Sequence, residues 1–204
     1  MRREWLQYLL ADLEAALREV EAPVVDFLRP GLSDEEMDRL CQSHGLVLPG
    51  ELRAWWGWHN GTDIAAARER TPRGRGAGLA ILAYQPSLEE ALDYRVTLMA
   101  EAQATSPQVA LEQYWRPSYL PLTLGSNHTW IADLGAGDAV RVRRMDFLSA
   151  HAVVLAPSLA NLVERWVAAL RGGHMRFDTE SHNGWYIEET GLTVPERQQL
   201  NDLL

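Results

Sequence analysis

Cys41 and His44 stand three residues apart, a spacing that sets a thiol and an imidazole on one face of a helix. A thiol nucleophile needs a base and a group to orient that base, and a metal ion needs further ligands. No third partner stands at a useful spacing, so Cys41 reads as a buried core thiol. His59, His128, His151, His174 and His182 show no H-x-x-x-H or H-E-x-x-H spacing, and His182-Asn183-Gly184 reads as a turn. Asp133 and Asp138 have the chemistry of a general acid and base. At a strand end and in a turn, they read more simply as turn residues. No G-x-S-x-G elbow is present. Arg68, Arg70, Arg73 and Arg75 run into Gly74, Gly76 and Gly78. Glycines let backbone amides approach a phosphate, but neither G-x-G-x-x-G nor G-K-[ST] occurs. Residues 65–78 are therefore expected to form a surface loop.

Trp55, Trp56 and Trp58 are the other chemically distinctive group. Positions i, i+1 and i+3 span too wide an arc for all three to point the same way on one helix. Two can enter a core, leaving one as an anchor for a partner, a role tryptophan often takes at interfaces. The plainer alternative packs all three inside the fold. Trp56, Trp58, His59, Asn60 and Asp63 thus form a candidate partner-binding group, with the acidic Asp178 and Glu180 as a second part. No catalytic, cofactor-binding or metal-binding residue is expected.

Composition narrows the function classes. The chain has 204 residues, enough to bury a sizeable core. Its net charge is −9, which argues against a nucleic-acid binder with a basic face. The acidic excess is concentrated at the end: Asp178, Glu180, Glu188, Glu189, Glu196 and Asp202 stand against Arg197 alone. Such a patch favours solubility and can also steer a basic partner. The lone cysteine excludes an internal disulfide. No run approaches the length of a membrane span and no signal peptide is evident at the start, so a cytoplasmic location is expected.

These residues must be positioned by a mixture of helices and strands. Leu6, Leu9, Leu10, Leu13, Leu17 and Val20 make a helical stripe over residues 3–20, and Val24 to Leu28 reads as an extended connector. Ser33 and Glu36 form a capping box, flanked by Leu32 and Met37 as a hydrophobic staple. Gly45 stops that helix, and Pro49 opens a second one carrying Leu52, Trp55, Trp56 and His59 and ended by Asn60-Gly61. A strand is expected over 79–84. Ser87 and Glu90 form another capping box, opening a helix to about residue 104 with Leu88, Leu92, Val96 and Met99 inward. Ser106-Pro107 opens a short helix to about Tyr114. Residues 119–145 alternate as strands around a turn at 135–138, and 147–156 hold a further strand. Ser158 caps an amphipathic helix that ends at Gly172-Gly173. A small hairpin turning at Asn183-Gly184 and a last helix from Thr193 complete the chain.

The stretch 31–61, GLSDEEMDRLCQSHGLVLPGELRAWWGWHNG, resembles the start of the SUKH superfamily, which includes fungal cell-wall assembly regulators and bacterial immunity proteins. The shared parts are the capped helix at Ser33–Glu36, Leu48-Pro49, the aromatic helix Leu52–Trp58 and Asn60-Gly61. Trp115 to Leu122, Trp130 to Leu134 and Ala156 to Leu159 are similar to later family segments, in the same order. The resemblance covers roughly residues 30–173. It leaves the 1–29 helical extension, the Arg/Gly loop and the 174–204 extension unaccounted for within one SUKH-like domain. It implies an α+β fold, with helices packed on a central, mostly antiparallel sheet, no catalysis and no cofactor. It also implies a protein partner, such as a basic nuclease toxin that an immunity protein neutralises by binding. A regulatory adaptor of the cell-wall type is the alternative, and a small metal-dependent hydrolase a more distant one.

Overall fold

The capping box at Ser33 forms as its residues dictate. The Ser33 hydroxyl accepts from the Glu36 amide, and the Glu36 carboxylate accepts from the Ser33 amide at 2.8 Å. It opens α2 (Asp34–Gln42), which buries Met37 and Cys41. The computed structural model describes residues 2–71, 78, 83–105, 115–125, 128–136, 140–147, 151–178, 184–189, 192–194 and 197. Before α2 come α1 (Arg2–Glu19), a 3₁₀ turn at Pro23–Phe27 and β1 (Leu28–Pro30). That 3₁₀ turn corrects the extended connector expected there: Pro23 at its start supplies a helical φ, and Val24, Val25 and Phe27 are buried. After α2 come α3 (Gly50–Trp58), β2 (His59–Thr62) and α4 (Ile64–Arg70).

The rest of the described chain comprises β3 (Ala83–Tyr84), α5 (Leu88–Thr105), β4 (Tyr119–Pro121), β5 (Leu124–Gly125), β6 (His128–Asp133), β7 (Arg141–Asp146), β8 (His151–Ala156), α6 (Leu159–Arg171), β9 (Met175–Phe177) and β10 (Trp185–Ile187). The main sheet is antiparallel, in the order β4-β6-β7-β8. Three two-stranded antiparallel pairs accompany it: β1–β2, β3–β5 and β9–β10. The fold is α+β.

Both faces of the main sheet are covered, so every residue from Thr129 to Asp133 is buried. On one face Leu120, Trp130, Ala132 and Val142 join the large core beneath α1, α3 and α6. Trp130 and Trp166 meet there with ring centroids 4.7 Å apart. On the other face Tyr119, Ile131 and Met145 pack with Leu98 and Ala102 of α5 and with Trp115. The stripe on α5 is shifted from the expected one. Val96 is exposed, and Arg95 is buried beside Leu98.

Helices α1, α3 and α6 run parallel. The Trp5 indole donates to Glu164, and seven residues further along both helices Arg171 pairs with Asp12. On the other side Gly50 lies against Arg3, while the Trp58 indole donates to Glu14. The three N-termini therefore converge. At the opposite end of α3 the chain comes close to itself. A Cβ on Gly31 would overlap the Gly57 carbonyl, and one on Gly61, which has φ +84°, would overlap the backbone of Ser87.

Residues 65–70 are helical rather than part of a loop, because the Asp63 carboxylate accepts from the Ala66 amide and caps α4. The remainder of the Arg/Gly stretch at 72–77, the beginning of the 79–84 strand, the helix expected from Ser106, Asp138, Glu180, the Asn183 half of the hairpin turn and most of the final helix lie outside the described residues.

Candidate binding surface

Three groups of side chains bear on function. The first surrounds His59, at the junction of α3 and β2. Its Nδ1 donates to the Arg29 carbonyl at 2.8 Å, and its Nε2 lies 3.3 Å from Glu14 Oε2. The same oxygen accepts from the Trp58 indole at 3.1 Å, and Glu14 Oε1 accepts from Arg18 at 2.8 Å. Burial opposes the Glu14 charge, but the hydrogen bonds from Arg18, His59 and Trp58 outweigh it and hold the carboxyl below its usual range. Both ring nitrogens of His59 are thus directed at acceptors, and neither faces a nucleophile. The cluster ties α1 to the α3–β2 junction.

This group takes up most of the sequence-predicted residues. Of Trp55, Trp56 and Trp58, Trp58 lies nearest the surface, half-buried against His59 at 4.6 Å between centroids. Trp56 is not available to a partner: it is fully buried, with its indole N–H 3.3 Å from the Pro86 carbonyl. Asn60 Oδ1 accepts from the Leu88 amide at the start of α5, and its amide group donates to Glu89. Asp63 is spent as the cap of α4. Asp178 follows β9, and its amide closes the terminal hairpin on Gly184. It therefore sits on an element separate from the His59–Asp63 segment. The predicted group is brought together only at Trp58, His59 and Asn60, and each of these is anchored internally.

The second group lies on the α5 side of the sheet. Asp133 accepts from Arg143 Nε at 2.9 Å, Ser118 Oγ at 3.1 Å and the Gly135 amide at 3.2 Å. Burial raises its pKa, yet these bonds and the Arg143 charge prevail and keep the carboxyl below the ordinary carboxylate value. An anion held this firmly is a poor proton donor or acceptor near neutral pH. Cys41 is buried, and its burial pushes the thiol pKa up. Among the described residues no three His, Cys, Asp or Glu side chains are grouped to hold a metal ion.

The third group was not singled out by sequence reasoning. Trp5 and Tyr8 stack on α1 with centroids 5.5 Å apart and ring planes 18° from parallel, and they are 48% and 63% exposed. Beside them the converging helix N-termini leave a cleft of about 530 Å³ lined by Arg2, Trp5, Glu51, Ser158, Asn161 and Glu164. Glu51 lies almost wholly buried there in the first turn of α3, where the helix dipole favours a carboxylate, and accepts from the Val140 amide at 2.9 Å. The available signal was an i, i+3 aromatic pair lying off the leucine stripe of an otherwise amphipathic helix.

No protein-family model matches the chain, and no curated protein is significantly similar to it. No helix among the described residues is long and apolar enough to cross a membrane.

Proposed function

We propose that this chain is a non-catalytic protein-binding module acting in the cytoplasm, an immunity protein that neutralises a cognate bacterial toxin by direct contact. The observation that carries the reading is the stacked, exposed Trp5–Tyr8 pair bordering the cleft between α1 and α6. Large aromatic side chains held rigid on a helix and left in water are the typical anchors of protein interfaces. The SUKH-like order of motifs in the sequence supports the immunity role. The net charge of −9 favours encounter with a basic partner, such as a nuclease domain.

Co-expression tests the reading. Toxin domains encoded beside this gene are induced in a sensitive host with and without the chain. Restored growth, together with recovery of a complex, is the expected outcome. Failure of every neighbouring candidate to be rescued or bound would remove the immunity reading.

A further inference from the structure

The helical cover of the main sheet stops short of one edge. β8 lies at the end of that sheet, and among the described residues β7 is its one strand neighbour. Register fixes which way its side chains point. Val153 stands opposite Arg144 and so shares a face with Trp130, while Val154 stands opposite Arg143 and shares the other face with Ile131. Trp130 and Ile131 are fully buried, yet Val153 is 42% and Val154 54% exposed. Both faces of the sheet are therefore open to a neighbour at the same point of the strand.

An exposed strand edge offers backbone N–H and C=O groups to a further strand, and folded proteins commonly guard it with charged side chains, proline or a bulge. The six residues of β8, HAVVLA, include no Asp, Glu, Lys, Arg or Pro. The guard is confined to its far end. There the register with β7 shifts between Val154 and Ala156, and Arg165 donates to the Leu155 carbonyl at 2.9 Å. His151 to Val154 carry the exposed valines without such protection.

The occupant that fits this edge is an extended, uncharged strand. The β8 of a second copy meets both conditions and is already ordered, so pairing does not pay for the folding of a loose segment. A two-fold axis at Val153 runs the two strands antiparallel. It sets Val153 against its own counterpart on one face and Ala152 against Val154 on the other. The ends then match in charge. Asp146 stands beside His151 at the start of β8, and the antiparallel arrangement brings that end to the Leu155 end of the other copy, where Arg165 is held. Acid meets base at both ends of the contact, although each chain carries a net charge of −9.

We propose that two copies of this chain pair through β8, joining their main sheets into one continuous antiparallel sheet across a two-fold axis. The contact uses residues other than Trp5 and Tyr8 and does not depend on the partner assigned to that surface. Pairing over so short a strand buries little area, so the dimer is reversible and forms with rising concentration.

The test is sedimentation velocity of the full chain from roughly 1 to 500 µM, the range in which a weak interface becomes populated. A shift from monomer to dimer is expected. Val153→Lys, an exposed change that leaves the fold intact, should weaken the dimer about tenfold or more by placing like charges at the axis. Val153→Cys should be linked into a dimer by a short bismaleimide, while the parent chain, whose one thiol at Cys41 is buried, should not. A chain that stays monomeric throughout overturns the proposal. A dimer that Val153→Lys leaves intact, or that Val153→Cys does not cross-link, lies elsewhere on the molecule and overturns it as well.

Discussion

Asp133 and His59 are both capable of proton chemistry, and both are held by partners the chain itself provides. For Asp133 the consequence is a pH dependence with a definite sign. Its folded carboxyl titrates below the ordinary value, so the unfolded chain binds the proton first as pH falls. The contribution to stability is complete above about pH 4, the unfolded aspartate range, and is lost as pH drops through the folded pKa. Asp133→Asn should leave Arg143 half-paired in a buried site and cost about 3 kcal/mol in urea unfolding at pH 7. The difference from the parent chain should narrow below about pH 4. An unchanged difference at low pH would show that the ion pair is not its source. Sequence reading placed Asp133 correctly at a strand end. It had no access to Arg143, because the partner arrives through sheet register rather than through local spacing.

At the scale of elements, the legible features were those written in contiguous residues. The capping boxes at Ser33 and Ser87 and the Ser158 cap all stand where side chains within four residues of each other specify them. The misread features are one local cap that composition masked and one placement set by a distant neighbour. Asp63 caps α4 where composition suggested a loop, and Arg95 takes the inward place assigned to Val96 because α5 faces Pro117 rather than an apolar surface there. Gly61 illustrates a position fixed from both sides. Its φ of +84° disfavours any side chain, and a Cβ would press on Ser87 at the start of α5. Gly61→Ala is expected to destabilise the fold by about 1–3 kcal/mol in denaturant unfolding. A cost no larger than that of an ordinary surface change would mean that the β2–α5 approach is not constrained.

Across the whole molecule, three parallel helices bring their N-termini to one end, close one face of the main sheet and present Trp5 and Tyr8 to solvent. The α+β architecture was legible through the sequence resemblance and the alternation of periodicities. The proposed binding surface was not. Attention fell on Trp55, Trp56 and Trp58 because they are clustered, and clustering on one short helix forces burial of most of the group. Trp5 and Tyr8 matter because of what they leave uncovered, which depends on the packing of α1 against α6. The double substitution Trp5→Ala/Tyr8→Ala should therefore cost less than about 1 kcal/mol of stability, since it removes little buried area. The measurement closest to the central claim is the affinity of the parent chain and this double variant for a toxin domain encoded beside the gene. The expected result is a tight complex with the parent chain and binding weaker by about thirtyfold or more in the variant, the scale of a lost hot spot. Equal affinity for parent and variant, with both chains folded, would contradict the assignment of this surface.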